Sequence, residues 1–216
     1  MTTTPLVIVG AGGHGREVLD IVEAINAAAT RGGPQYEVLG FVADSAPICN
    51  AFEQRGVPYL GPIEHLATRQ CGYVIGIGDG SVRRRIDELV TGWGHVPVSM
   101  VHPLATIGSH DSLGPGCVLA AGARITTNVT LGRHVHLNIN ATISHDGRVG
   151  DFVTLAPGAT VCGNVSLGDE VYVGAGATII QGRSVGARTM VGAGAVVVRD
   201  LPGGVTAVGV PARPRP

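Results

Sequence analysis

A small open α/β domain followed by a short-period solenoid is the fold class this sequence predicts, and three observations carry it. An aliphatic residue recurs every six positions without a gap: Ile107, Leu113, Leu119, Ile125, Leu131, Leu137, Ile143, Val149, Leu155, Val161, Leu167, Val173, Ile179, Val185, Val191 and Val197. Near the N-terminus a β-branched run ends in a glycine-rich loop that opens a helical pattern. Glycine is also in excess, 34 of 216 residues, and most of the excess falls in that loop and in the repeat. Sixteen aliphatic residues in one phase define a solenoid, in which each unit buries its apolar face only against the next. The boundary falls near residue 100, giving an α/β domain over 1–100 and a repeat domain over 101–216.

The first strand is Leu6-Val7-Ile8-Val9, an apolar run of the kind buried on both faces of a parallel sheet. The loop Gly10-Ala11-Gly12-Gly13-His14-Gly15 follows. A helix is expected from Arg16, with Val18, Leu19, Val22 and Ile25 on one face. The N-terminus of such a helix can hold an anion. A second strand covers 38–42 and ends near Asp44. Residues 59–62 read as a turn and 63–67 as a short helix. A third strand covers 73–78. Asp79-Gly80-Ser81 caps a helix over about 82–90, and 96–100 gives a last strand. Ligands of such sheets lie beyond the C-terminal strand ends, here the glycine loop, Asp44 and Gly78-Asp79-Gly80.

In the repeat the fifth place of a hexad is usually small or β-branched, as at Ala123, Val135, Ala141, Val153 and Ala177. The second place is often Gly, as at Gly108, Gly132, Gly150 and Gly168. One inward-facing strand of two or three residues per hexad fits this pattern, with Gly expected to make the turn at each corner. The long period-2 alternation of sandwiches and ordinary barrels is absent.

Several function classes are disfavoured. The formal net charge is −1 and Lys and Arg form no basic tract, so neither nucleic acid nor a membrane surface has an electrostatic footprint. No apolar run approaches the ~20 residues of a membrane helix, and residues 1–10 lack the cationic start of a signal peptide. Cys49, Cys71, Cys117 and Cys162 form no C-x-x-C pair, so reduced thiols in a cytoplasmic protein are expected.

The hexad pattern [LIV]-[GAED]-x-x-[STAV]-x resembles the repeat of left-handed parallel β-helices, in which three hexads make one triangular coil. Gly209-Val210-Pro211-Ala212-Arg213 resembles the G-x-P-A-[KR] ending of hexapeptide acyltransferases. The string Val7-Ile8-Val9-Gly10-Ala11-Gly12-Gly13-His14-Gly15-Arg16-Glu17-Val18 is similar to the opening of one branch. That branch comprises sialic-acid O-acetyltransferases and the N-acetyltransferases of UDP-4-amino sugars and GDP-perosamine. With Gly40-Phe41, Asp44, Ile75-Gly76-Ile77-Gly78 and His102-Pro103 the resemblance covers nearly the whole chain. It implies a small Rossmann-like nucleotide-sugar domain, a left-handed β-helix acyltransferase domain with a CoA-contacting tail, and a homotrimer. It also implies acetyl-CoA as co-substrate and no metal.

Gly10-x-Gly12-x-x-Gly15 formally matches a dinucleotide fingerprint. The nearest acidic residue at a strand end, Asp44, lies beyond the usual spacing of about 20 residues. A tight βα turn and a site for another phosphorylated ligand stand beside that reading. By resemblance Gly12, Gly13, His14, Asp44, Asp79 and Asn138 are the nucleotide-sugar contacts. His145 and Asp146 match the family's I-x-H-[DE]. A histidine beside a carboxylate supplies a base with a partner to orient it. Gly163 matches the glycine whose N–H faces the thioester carbonyl, a place where an oxyanion would be stabilised. Thr154 stands where relatives carry a second His toward the acetyl donor. Ala175, Ala193 and Arg213 lie where the family lays the arm and adenosine end of coenzyme A. The expected activity is acetyl transfer to an amine or hydroxyl of a nucleotide-linked sugar. A non-catalytic sugar-nucleotide binder or scaffold, and a zinc lyase of the carbonic anhydrase type, are the alternatives. The lyase lacks the five-residue His spacing of that branch and retains only His134-x-His136.

Overall fold

The computed structural model describes residues 3–29, 35–44 and 51–215. The chain divides into two compact units, Met1–Pro103 and Leu104–Pro216. Of the four cysteines, Cys71, Cys117 and Cys162 are free thiols, and Cys49 lies outside the described residues.

In the first unit β1 (Thr4–Val9), β2 (Tyr36–Val42), β3 (Tyr59–Gly61) and β4 (Gly72–Ile75) form one parallel sheet in the order β3-β2-β1-β4. Central β1 is apolar over its last four residues, and Leu6, Val7, Ile8 and Val9 are fully buried, as a central parallel strand requires. Two helices, α1 (Gly13–Ala28) and α2 (Gly80–Gly92), follow β1 and β4. Helix α1 starts three residues before the expected Arg16, so Gly13, His14 and Gly15 form its first turn and Gly12 is its N-cap. Residues 59–61 are a strand and not the expected turn. The Phe41 amide donates to the Pro58 carbonyl at 3.0 Å, and Phe41 pairs with Tyr59, which adds β3 as an edge. The expected last strand is reduced to a Tyr73–Pro97 bridge and a two-residue β5 (Met100–Val101).

The second unit is built as the hexads predict. Two-residue strands recur every six positions and pair in parallel with strands 18 residues away; Thr142, for example, pairs with Arg124 and Thr160. Three faces result. Face I carries Thr106–Ile107 through Val196–Val197, face II Ser112–Leu113 through Ser184–Val185, and face III Val118–Leu119 through Met190–Val191 and Thr206–Val208. The first and fifth places point inward and are closely packed: Leu137, Leu155, Val173, Val135, Val153 and Ala177 are fully buried. Arg213–Pro214 closes face III as an antiparallel strand on Thr206–Val208.

The turns are made differently from the sequence expectation. In every hexad from Ile107 to Val191 the fourth residue has positive φ, between 51° and 76°, whether it is Gly, Asn, Asp, His, Phe, Glu or Arg. The second-place glycines have no positive φ; they are glycine because the next coil approaches too closely for a side chain. A Cβ at Gly150 would lie 2.5 Å from Asp169 Oδ1 and 2.8 Å from its amide nitrogen.

Candidate active site

In the first unit the C-terminal ends of β1, β2 and β4 open on a cleft of about 520 Å³. Gly10 to His14, Ala43, Asp44, Gly76 to Gly78, Val82 and Ile86 line it. Gly12, Gly13, His14 and Asp44 are thus brought together. Asp79 is not among the lining residues. Its carboxylate accepts from the Val82 amide (3.0 Å) and the Ser81 hydroxyl (2.7 Å), which makes it the N-cap of α2. These bonds, the hydroxyl's first, hold it below the usual carboxylate range.

The loop's glycines serve two different ends. A Cβ at Gly15 would meet the Gly10 carbonyl at 2.2 Å, and one at Gly76 would meet Gly15 Cα at 2.5 Å. Those glycines let backbone meet backbone. A Cβ at Gly12 would meet nothing within 4 Å, and one at Gly13 only the Arg16 guanidinium at 3.8 Å. Their open side faces the cleft at the start of α1, where first-turn N–H groups and the helix dipole favour an anion. Gly12→Ala is therefore expected to leave the melting temperature within about 2 °C while raising KM for the cleft's ligand several-fold. Gly15→Ala should lower the melting temperature by several degrees, since overpacking costs about 1–3 kcal/mol. Thermal melts and binding titrations of both variants check this.

Sequence reasoning did not single out Arg83, which is fully buried on α2. Its guanidinium donates to the Ile77 and Gly78 carbonyls at 3.0 and 2.8 Å and so fixes part of the cleft floor. Tyr73 donates to Asp87, one turn on along the same helix. A polar helical face conceals such a network, because buried and solvated charges read alike in sequence.

On the second unit His145 and Asp146 sit at the corner between faces I and II. His145 Nδ1 lies 2.8 Å from Asp146 Oδ2. With an ionised carboxylate there, Nδ1 carries the proton and Nε2 presents its lone pair. The His145 bond first, and the Asn128 amide second, hold the Asp146 carboxyl below its usual range. The sign is that of a depressed carboxylate. The stabilisation exists above the ordinary carboxylate range and is lost as pH falls through the lowered value, so the pair persists at neutral pH.

Gly163 follows His145 by one 18-residue coil at the same place in the hexad. A Cβ there would lie 2.4 Å from His145 Cε1 and Nε2, so the imidazole packs against the bare Gly163 backbone. The other expected residues lie elsewhere on the prism. Asn138, Ala175 and Ala193 occupy the corner between faces III and I. Thr154 is buried on face III between His136 and Tyr172. Arg213 is on the closing strand, exposed. His134 stacks on Phe152, ring centroids 5.5 Å apart, and no three His, Cys, Asp or Glu side chains converge to hold a metal ion among the described residues. No helix among them is long and apolar enough to cross a membrane.

Coils of this six-residue period are those of hexapeptide-repeat proteins, and the bacterial transferase hexapeptide family matches residues 146–181. The PglD N-terminal domain family matches residues 5–89. Perosamine N-acetyltransferase from Caulobacter crescentus, solved as a histidine mutant with CoA and GDP-perosamine, is 31% identical over 100% of this chain and 98% of its own, with a TM-score of 0.86. The acetyltransferase domain of PglB from Neisseria gonorrhoeae, in complex with acetyl coenzyme A, is 30% identical over 99% and 100%, with a TM-score of 0.85. A curated relative, GDP-perosamine N-acetyltransferase of Escherichia coli O157:H7, is 33% identical over 140 residues, which span 61% of this chain and 58% of that protein. This chain belongs to the nucleotide-sugar acetyltransferase family, whose fold joins a small parallel α/β domain to a left-handed β-helix.

Proposed function

We propose that this protein transfers the acetyl group of acetyl-CoA to an amine of a nucleotide-linked sugar, GDP-perosamine being the first candidate. The observation that carries the reading is the oriented His145–Asp146 pair packed on Gly163, in a chain that also holds an anion-suited glycine cleft. The sugar nitrogen attacks the thioester carbonyl. A C–N bond forms, His145 Nε2 takes the amine proton, and the proton passes to the CoA sulfur as the C–S bond breaks. Asp146 keeps Nδ1–H in place and offsets the charge of the imidazolium. The Gly163 N–H is assigned to the tetrahedral oxyanion. Gly12, Gly13, His14 and Asp44 hold the nucleotide, and Asn138 the sugar. Thr154, Ala175, Ala193 and Arg213 are assigned to CoA.

Within one chain the β-helix residues His145, Asp146, Gly163, Asn138, Ala175, Ala193 and Thr154 occupy two corners and a face of the prism, so a complete site takes them from neighbouring copies. We propose that these copies form the homotrimer that the family resemblance implies. Light scattering should give three times the 22.0 kDa chain mass; a monomer would refute the shared site. Free Cys71, Cys117 and Cys162 suit a reducing compartment such as the cytoplasm. Thiol release from acetyl-CoA over a panel of UDP- and GDP-linked amino sugars tests the activity. Tight sugar-nucleotide binding with no thiol release from any member would favour a non-catalytic binder.

A further inference from the structure

Asn128 occupies the fourth place of its hexad, one 18-residue coil before Asp146 and in the same corner column. Its side-chain amide donates to Asp146 Oδ1 at 2.5 Å, while Asp146 Oδ2 accepts from His145 Nδ1 at 2.8 Å. The two carboxylate oxygens are thus divided between two partners. Asp146 itself is half-exposed, its side chain 50% accessible, so its hydrogen-bond partners weigh heavily in setting its orientation. The Asn128 side-chain amide is a donor from the neighbouring coil, whose backbone is held by the Asn128 backbone amide's bond to the Ser109 carbonyl, and the side chain's bond to Oδ1 leaves Oδ2 for the imidazole.

We propose that Asn128 is a positioning residue that orients the His145 base through Asp146. The proposal rests on the assignment of His145 as the base. The carboxylate faces few other charges. Asn128, Thr130, Arg148 and Asn164 line with it a hollow of about 340 Å³. The Arg148 guanidinium and the His145 imidazole are the charged groups that act on it. His110 and Asp111 lie one coil beyond Asn128; the Asp111 Oδ1 accepts from the Val129 amide at 2.8 Å and so faces the backbone. Among the described residues, Asn128 is the neutral side chain that hydrogen-bonds Asp146.

Backbone geometry makes the test clean. Asn128 has a φ of 58°, a conformation that Gly adopts freely and Asp tolerates. Asn128→Gly removes the amide and keeps the turn. Asn128→Asp replaces the donor with a second carboxylate, which repels Asp146 and favours a charged imidazole. With the amino sugar selected by thiol release, Asn128→Gly should lower kcat about three- to tenfold with both KM values within twofold of wild type. Asn128→Asp should shift the acid limb of the kcat–pH profile upward by about half a unit or more, and NMR of the free protein should show the same shift in the His145 ring titration.

His145→Ala is measured alongside. If it abolishes turnover while both Asn128 variants keep wild-type kcat, pH limb and ring titration, the positioning role is wrong and the base assignment stands. If His145→Ala retains full turnover, the base assignment fails. The ring titration then decides the Asn128–Asp146–His145 coupling independently of catalysis, with an unmoved midpoint in Asn128→Asp overturning it.

Discussion

Replacing His145 with Ala is expected to lower kcat/KM for the amino sugar by about 10²–10⁴, the usual range for a positioned general base. The loss should fall on kcat, because the half-exposed ring contributes little apolar burial and the corner backbone does not depend on it. The pH profile is the sharper readout. In the wild type the acid limb marks protonation of the group that must accept the amine's proton. Asp146 cannot supply that limb, since its carboxyl is held below the usual range and is charged throughout. The His145→Ala profile should therefore lose the limb and follow only the titration of the sugar amine, its residual rate climbing as the free amine fraction rises. Steady-state kinetics from about pH 5.5 to 9 distinguish the two. A variant that retains both the rate and the limb would assign the base to another residue.

The repeat was legible because its side chains are chosen by burial. The first and fifth places fill the prism, so aliphatic and small residues recur there, and period, strands and 18-residue stacking all follow. The turns were not legible. Left-handed backbone at Phe152, Glu170 and Arg188 is imposed by the ladder of amides on either side, and residue type there records little of it. Gly132, Gly150 and Gly168 report close contact between coils and not turning. In the first unit Gly61-Pro62 looked like a turn, but pairing to β2 makes the residues before the proline an edge strand. Asp79 reads both as a helix cap, from Asp79-Gly80-Ser81, and as a ligand contact, by resemblance. Its bonds to Ser81 and Val82 bear out the cap. His145 and Asp146 were found from a motif, whereas Asn128 becomes visible only when the coil period is applied to Asp146. That is a signal the sequence holds but no local motif contains.

Gly163→Ala separates two roles that the same glycine could fill. Were Gly163 needed only for its backbone N–H at the oxyanion, alanine would keep the donor and nearly all of the activity. The geometry says otherwise, for the new Cβ would fall 2.4 Å from both Cε1 and Nε2 of His145. Something must move, and the part able to move is the imidazole, a half-exposed side chain on two rotatable bonds, while the coil backbone is held by amides on both sides. The Gly182 amide, for instance, donates to the Gly163 carbonyl at 3.0 Å. Rotation of the ring breaks the Nδ1 bond to Asp146 and takes Nε2 off the reacting nitrogen. A misplacement of about 1 Å is worth roughly 10²-fold in rate, so kcat should fall by about that factor with the melting temperature within a few degrees of wild type. Coupling identifies the cause. If the glycine acts through His145, the Gly163→Ala, His145→Ala double variant should be no slower than His145→Ala alone, because groups acting as a unit are lost only once. Additive losses in that cycle would instead place the damage at the oxyanion or the thioester and return Gly163 to a role independent of the base.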